Sequence, residues 1–398
     1  MAMEIGDGAT AKRSLMLRDA LSLLTIVFIT GVLFALTLFL FRSFTAHRAE
    51  LAQRWSQRGR HALEVNKAAE AVVDLRTALS YAPGTRSYEL MLAHALGQAG
   101  FAEKRPGLIE ESYNYYLGLW EATPGDGSIN LALARLAVKK GDPGSAVRYY
   151  RAAIYGTWDE GDGVERRAAV RAELARYFID HQDLQSARME LLIAGGNSPD
   201  TYDRDMNFGH LFEAAQDPRN AQVYYQKAIA ARPGDAAALE AAGRLAYQTA
   251  DYETAHRLLD RASDVRAAQH APEAGADAEL ARNAGRLVEL SPAGSLPPRE
   301  RVARILTIRS IAKKRFDACK ETTAGQPPGS PLQALGARWT GPEGTSNAAS
   351  MLRDPARQDA ALQLAFDTER EMQQQCGPPA GDDQLLLLLA KQGGATHD

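Results

Sequence analysis

Few residues in this chain have the types and spacing that chemistry requires. Two cysteines, Cys319 and Cys376, and eight histidines are the strongest nucleophile and metal-ligand candidates among 398 residues. The cysteines do not form a Cys-x-x-Cys pair and the histidines show no paired ligand spacing, so neither a thiolate metal module nor a thioredoxin-like redox site can be assembled. No HExxH, Walker-type loop, dinucleotide glycine fingerprint or GxSxG is present. Asp382 and Asp383 open a helical pattern, where carboxylates cap free N–H groups and meet the positive end of the helix dipole. The expectation is therefore no catalytic group, no metal and no cofactor. An enzyme or enzyme accessory with its active role in residues 277–391 is the alternative, and it requires a concave pocket with converging titratable groups. What does recur is a basic or potentially basic side chain: Arg60, His94, Arg135, Arg176, His210 and Arg244.

The elements that would position these residues are segregated along the chain. Residues 20–41, ALSLLTIVFITGVLFALTLFLF, contain no ionisable side chain. As a helix at ~1.5 Å per residue, that stretch reaches about 33 Å, enough for the hydrocarbon core of a bilayer. A cleaved signal peptide has a shorter apolar run ending in a small-x-small site, and Arg42-Ser43-Phe44-Thr45 offers a poor one. A retained single-pass anchor is the reading, with residues 1–19 as an N-terminal tail. Gly31 and Ala35 form a small-xxx-small step through which two spans could self-associate. Orientation stays open. Lys12, Arg13 and Arg18 precede the span, while Arg42 and Arg48 follow it closely, with Arg54, Arg58 and Arg60 beyond. Long domains cross a membrane largely regardless of such counts. The soluble part is expected outside the cytoplasm, periplasmic if the membrane is a bacterial inner membrane. Mean hydropathy of −0.31 excludes a multi-span protein, and a net charge of −3 argues against nucleic acid as a partner.

From about Leu51 the chain repeats itself on a 34-residue ruler. Trp55, Gly59, Ala71, Leu75, Ala78 and Pro83 occupy positions 4, 8, 20, 24, 27 and 32 of one copy. Phe208, Gly209, Phe212, Ala221, Tyr225, Ala228 and Pro233 occupy positions 7, 8, 11, 20, 24, 27 and 32 of another, and Gly243, Ala255, Leu259 and Ala262 follow 34 residues later. Copies containing Leu174, Ala187 and Leu191, then Leu133, Ala146 and Tyr150, and a broken one from Leu92 through Tyr116, bring the number to six. Insertions lie near residues 101–108 and 155–167. This pattern resembles the tetratricopeptide repeat, a helix–turn–helix unit, over about residues 52–268. The resemblance implies an all-α fold: a transmembrane helix, an α-solenoid of repeats over 50–268, and a C-terminal irregular helical domain. It also implies a concave face that binds polypeptides, as in bacterial membrane-anchored adaptors of envelope assembly or quality control.

In the resembled family positions 2, 5, 9, 12 and 13 line the groove, and the six basic residues all fall at position 9. Such a ladder suits an acidic protein or peptide partner. The alternative is pairing within each helix, since Glu64, Asp180 and Glu213 stand one turn after Arg60, Arg176 and His210. The Lys and Asn of the chaperone-tail carboxylate clamp are missing, so co-chaperone activity is not expected. The aromatic run SYNYYLGLW, residues 112–120, reads as core through Tyr116 or as a partner patch.

Beyond residue 269 the ruler fails. Helices are expected over 277–290, 299–318, 355–375 and 382–391, with a Pro/Gly-rich loop over 322–345. Cys319 and Cys376 each close a helix, and a bridge between them would stabilise by about 4 kcal/mol in the chain-entropy picture. Two separate buried thiols are the alternative.

Overall fold

The computed structural model describes residues 7–158, 163–197, 199–270, 274–322 and 330–393. All regular elements among them are helices. Two compact units meet between Leu174 and Ala175, and each is treated by itself below.

The first unit begins with α1 (Asp7–Glu64), a single 58-residue helix. It contains the apolar segment expected to span a membrane and, without a break, the first helix of the first repeat. Within the tail expected over 1–19, residues 7–19 are helical, and the first helix of the repeats expected from 50 is continuous with the apolar segment. Nothing between Phe41 and Ala52 interrupts the helix, because residues 42–51 lack Gly and Pro. Residues 1–6 of that tail lie outside the described residues. Next come α2 (Ala68–Tyr81), α3 (Arg86–Ala102), α4 (Pro106–Ala122), α5 (Gly127–Lys140), α6 (Pro143–Tyr155) and the start of α7 (Gly163–Asp180). The insertion near 155–167 falls between α6 and α7, and its residues 159–162 lie outside the described ones.

The second unit continues with α8 (Leu184–Gly196), α9 (Tyr202–Ala214), α10 (Pro218–Ala231), α11 (Ala236–Gln248) and α12 (Tyr252–Ala268). The hairpins in both units share one turn. Its left-handed residue is Asn66, Lys104, Gly141, Gln182, Gln216 or Ala250, each with φ between 53° and 71°. In four of the six, an aspartate follows, caps the second helix and accepts a backbone N–H: Asp142 from Ser145, Asp183 from Ser186, Asp217 from Asn220 and Asp251 from Thr254.

The 34-residue pattern has a packing cause. A methyl group added at Gly59 would lie 2.6 Å from Cγ of Leu75, at Gly209 2.4 Å from the Tyr225 ring, and at Gly243 2.8 Å from Cγ of Leu259. Position 8 must be glycine wherever the bulky residue at 24 rests on the backbone of the facing helix. Ala71, Ala78, Ala221, Ala228, Ala255 and Ala262, at positions 20 and 27, are fully buried.

After the hairpins, α13 (Ala274–Leu290) extends the stack by one helix, burying Ala281 and Ala284 against Leu259 and Ala255. Then follow α14 (Pro298–Thr322), α15 (Pro331–Thr340), α16 (Pro342–Thr345), α17 (Ala348–Arg353), α18 (Pro355–Cys376) and α19 (Asp382–Gly393). The Pro/Gly-rich loop expected over 322–345 is thus mostly helical, with 323–329 outside the described residues. Pro331 and Pro342 stand in the first helical turn, where a missing N–H costs nothing, and Ser330 caps α15. These prolines start helices rather than interrupt one. Leu287, Ile308, Phe316, Trp339, Leu364, Met372 and Leu386 form one core that also takes in Tyr252 of α12. Cys319 and Cys376 are joined in a disulfide between the ends of α14 and α18, with Cα atoms 5.9 Å apart.

Candidate groove on the first helices of the repeats

The six position-9 residues are all exposed, although each sits one residue from a buried alanine, glycine or leucine. The helix therefore buries its neighbours and leaves this position in solvent in every copy.

In the first unit Arg60 makes no hydrogen bond or ion pair among the described residues. The expected partner, Glu64, lies 3.7 Å from His61 instead. His94 contacts Gln98, 3.3 Å between Nε2 atoms. Burial first, and then the Arg135 charge, hold the His94 imidazole below its ordinary value, so it is neutral at pH 7. Arg135 grips Glu173 of α7 with two bonds, Nε to Oε1 at 2.8 Å and Nη2 to Oε2 at 2.7 Å. The Tyr150 hydroxyl donates to the same carboxylate at 2.8 Å.

In the second unit Arg176 donates to Oδ1 of Asn207 on α9 at 3.4 Å rather than meeting Asp180. The Tyr225 hydroxyl donates to Glu213 at 2.7 Å and lies 2.8 Å from Nδ1 of His210. A hydroxyl has one proton, so with that proton on Glu213 the His210 Nδ1 carries its own. Glu213 is thereby taken by tyrosine and not by His210 as expected. Arg244 pairs with Glu240 at 3.0 Å, and Glu240 also holds Arg266, which bonds Asp277 of α13.

The local pairing expected from sequence thus fails at three helices, while cross-helix pairing appears at Arg135 and Arg176. Both reach position 6 of the following first helix, because a helical side chain leans toward its own N-terminus and away from the residue one turn later. Sequence reasoning also missed Glu173 and the hydroxyls of Tyr150 and Tyr225. A tyrosine at position 24 buries its ring between helices and is long enough to bring its oxygen to the groove; that signal was present in both copies. Of the aromatic run, Tyr116 is buried and its hydroxyl is pushed up to about 12, chiefly by burial. Tyr113 is partly exposed, with the Lys140 ammonium 4.1 Å from its ring centre.

Among the described residues, the C-terminal helices border open depressions. One of about 470 Å³ is lined by Thr340, Thr345, Ser346, Asn347, Ser350 and Arg357. Another, about 370 Å³, borders Arg338, Asp367 and Arg370, which already pair with one another. The most perturbed carboxyl lies elsewhere. Glu369 of α18 is fully buried, accepts from Arg315 at 2.6 Å, and faces Asp383 of α19. Burial, then Asp383, push it up to about 7 against the pull of Arg315. Arg315 also bonds the Gly377 carbonyl at 2.9 Å, next to Cys376, so this cluster clamps α14, α18 and α19 together. No group of three or more metal-ligating side chains occurs among the described residues.

One helix among the described residues is long and apolar enough to cross a membrane, with mean hydropathy 2.7 in its most apolar window and none of that window buried. Gly31 on that helix has open space where a side chain would be.

No protein-family model and no curated protein sequence matches the chain. Solved structures do. A type IV pilus biogenesis factor, PilW, is 14% identical with a TM-score of 0.42, covering 56% of this chain and 96% of its own. The C-terminal part of a tetratricopeptide-containing protein from Cytophaga hutchinsonii is 14% identical with a TM-score of 0.44, covering 70% and 98%. YrrB, a tetratricopeptide protein described as having an unusual peptide-binding site, is 16% identical with a TM-score of 0.32, covering 47% and 89%. The assignment of tetratricopeptide-like hairpins stands on this chain's own turns and its position 8 to 24 contacts.

Proposed function

We propose that this chain is a membrane-anchored adaptor that binds a polypeptide partner on the exposed faces of its first repeat helices. One observation carries the reading: position 9 stays in solvent in all six hairpins while its neighbours are buried. The groove is less basic than its sequence. Arg135 and Arg244 are neutralised by Glu173 and Glu240, and His94 is uncharged, leaving Arg60 and Arg176 as the cations for an acidic segment. The tyrosine–carboxylate pairs add fixed acceptors, so the partner is a peptide of mixed polarity read by hydrogen bonds as well as by charge.

Residues 20–41 serve as the single-pass anchor. The cystine in the C-terminal helices suits an oxidising compartment, which supports the reading of a periplasmic repeat domain in envelope assembly or quality control. Site-specific photo-crosslinking in intact membranes tests the proposal. A photoreactive residue replacing Arg60, His94 or Arg176 should give a discrete protein adduct, whereas replacement of the outward-facing Val73 or Val223 should give none. Equal adducts from both sets, or none from the groove positions, would overturn it.

A further inference from the structure

The unbroken α1 fixes how far the first repeat stands from the membrane, and that distance is short. We propose that the lower rim of the first hairpin, α1 from Arg42 to Arg48 together with the α2–α3 loop at 82–85, is seated on anionic lipid headgroups. This rests on the anchor reading above and adds a second contact with the bilayer.

Height comes first. Ala52 is the first fully buried residue after the apolar segment, eleven positions past Phe41, or about 16 Å along a helix. The second helix returns toward the membrane. A three-residue turn reverses the chain after Glu64, Arg58 meets Asp74 at 3.6 Å, and further down Arg48 donates to the Ser80 carbonyl at 2.9 Å. The Arg48 backbone is seven residues past Phe41, about 10 Å above the hydrocarbon edge, and its side chain leans down toward the helix N-terminus. The headgroup layer of one leaflet is about 5–8 Å thick. The α2 terminus at Ser80 therefore ends at the top of that layer, and residues 81–85 continue into it.

Charge selects the lipid. Residues 42–49, RSFTAHRA, include Arg42, His47 and Arg48 and no acid. Residues 75–88, from the end of α2 into α3, include Arg76 and Arg86 and no acid. Of the acids near this rim, Glu50 pairs with Arg54, Glu111 with Arg76, and Asp126 stands 4.0 Å from Arg86, while Glu89 follows in the first turn of α3. Arg42 has no acidic partner among the described residues. Phe44, 60% exposed on the same turns, has the Arg48 guanidinium 5.8 Å from its ring centre, and such aromatic and basic groups belong at a bilayer interface. A phosphate-bearing anionic surface complements this rim, whereas a polypeptide would have to displace lipid to reach it.

The test uses the full chain in vesicles. A fluorophore on Ser87→Cys, at the start of α3, reports the rim, and one on Val65→Cys reports the far end of the hairpin. Both native cysteines are bridged and do not react. Lipids with headgroup quenchers, anionic or zwitterionic, are supplied in turn. The expected result is strong quenching at position 87 and little at 65, with the anionic quencher enriched over the zwitterionic by fivefold or more, about the factor one basic side chain near an anionic surface is worth. The enrichment should disappear in the variant combining Arg42→Gln and Arg86→Gln. Equal quenching at 87 and 65, or no preference for the anionic lipid, in vesicles from which alkaline carbonate does not extract the protein, overturns the headgroup contact alone. Extraction by carbonate overturns the anchor and the contact with it.

Discussion

Replacing Glu369 by glutamine should make the C-terminal helices more stable at neutral pH, and by an amount that depends on pH. The carboxyl is fully buried, held by Arg315 from α14 and faced by Asp383 from α19, with the Arg286–Asp382 pair beside it. One of its oxygens, Oε1, lacks a donor. A proton on that oxygen supplies one and is shared with Asp383. Burial and Asp383 raise the group from 4.5 to about 7. Because the native value lies above the unfolded one, the folded chain holds the proton more tightly. Its contribution is fully present below about pH 4.5 and is lost as pH rises through about 7. At ~1.4 kcal/mol per pH unit the gap amounts to about 3 kcal/mol, most of it between pH 5 and 8. Glutamine reproduces the protonated form: its carbonyl accepts from Arg315 and its amide donates to Asp383. Urea unfolding of the detergent-solubilised chain, followed through Trp339 in the same core, should show variant and parent within about 1 kcal/mol at pH 5 and the variant ahead by about 3 kcal/mol at pH 8. Asp383, which faces Glu369, is perturbed by the replacement too, so the difference reports on the pair, while titrating groups remote from it are common to both proteins and cancel. Parallel pH profiles with a constant offset would refute the shared proton.

Two further outcomes follow from packing and cross-linking. Reducing the Cys319–Cys376 bridge, which spans 57 residues, should lower stability in the same assay by about 4 kcal/mol, with the loop-closure model setting the upper end. A thiol titration before and after reductant reports whether the bond is intact. Gly209→Ala places a methyl group 2.4 Å from the Tyr225 ring and should cost about 1–3 kcal/mol, while weakening the Tyr225–Glu213 bond; circular dichroism melts of parent and variant measure it.

How much of this was legible in the sequence depends on the length scale of each interaction. The long apolar helix and the hairpins were readable because their determinants are local or periodic: an uncharged run of 22 residues, and a glycine facing a bulky residue sixteen positions later within one hairpin. The turns were readable in principle for the same reason. The continuity of α1 was not inferred, since sequence boundaries were placed where composition changed. Helix propensity does not end at a composition change, and residues 42–51 contain no breaker. The stretch over 322–345 was read as a loop from its Pro and Gly content, whereas the effect of a proline depends on whether it falls in the first turn of a new helix.

The candidate groove shows a sharper limit. From spacing alone, Arg60 with Glu64 and Arg176 with Asp180 are favourable one-turn pairs, worth only ~0.3–0.5 kcal/mol on an exposed helix. A bond to the next hairpin competes easily with so shallow a preference, as the two-pronged Arg135–Glu173 contact shows. A guanidinium held in a fork by a carboxylate on a packed neighbouring helix loses less freedom than one reaching along its own exposed surface. The charge of this face is set both between repeats, at Arg135, and within one helix, at Arg244. Among the described residues, the row of six basic positions leaves Arg60 and Arg176, one in each unit, as the arginines without a carboxylate partner.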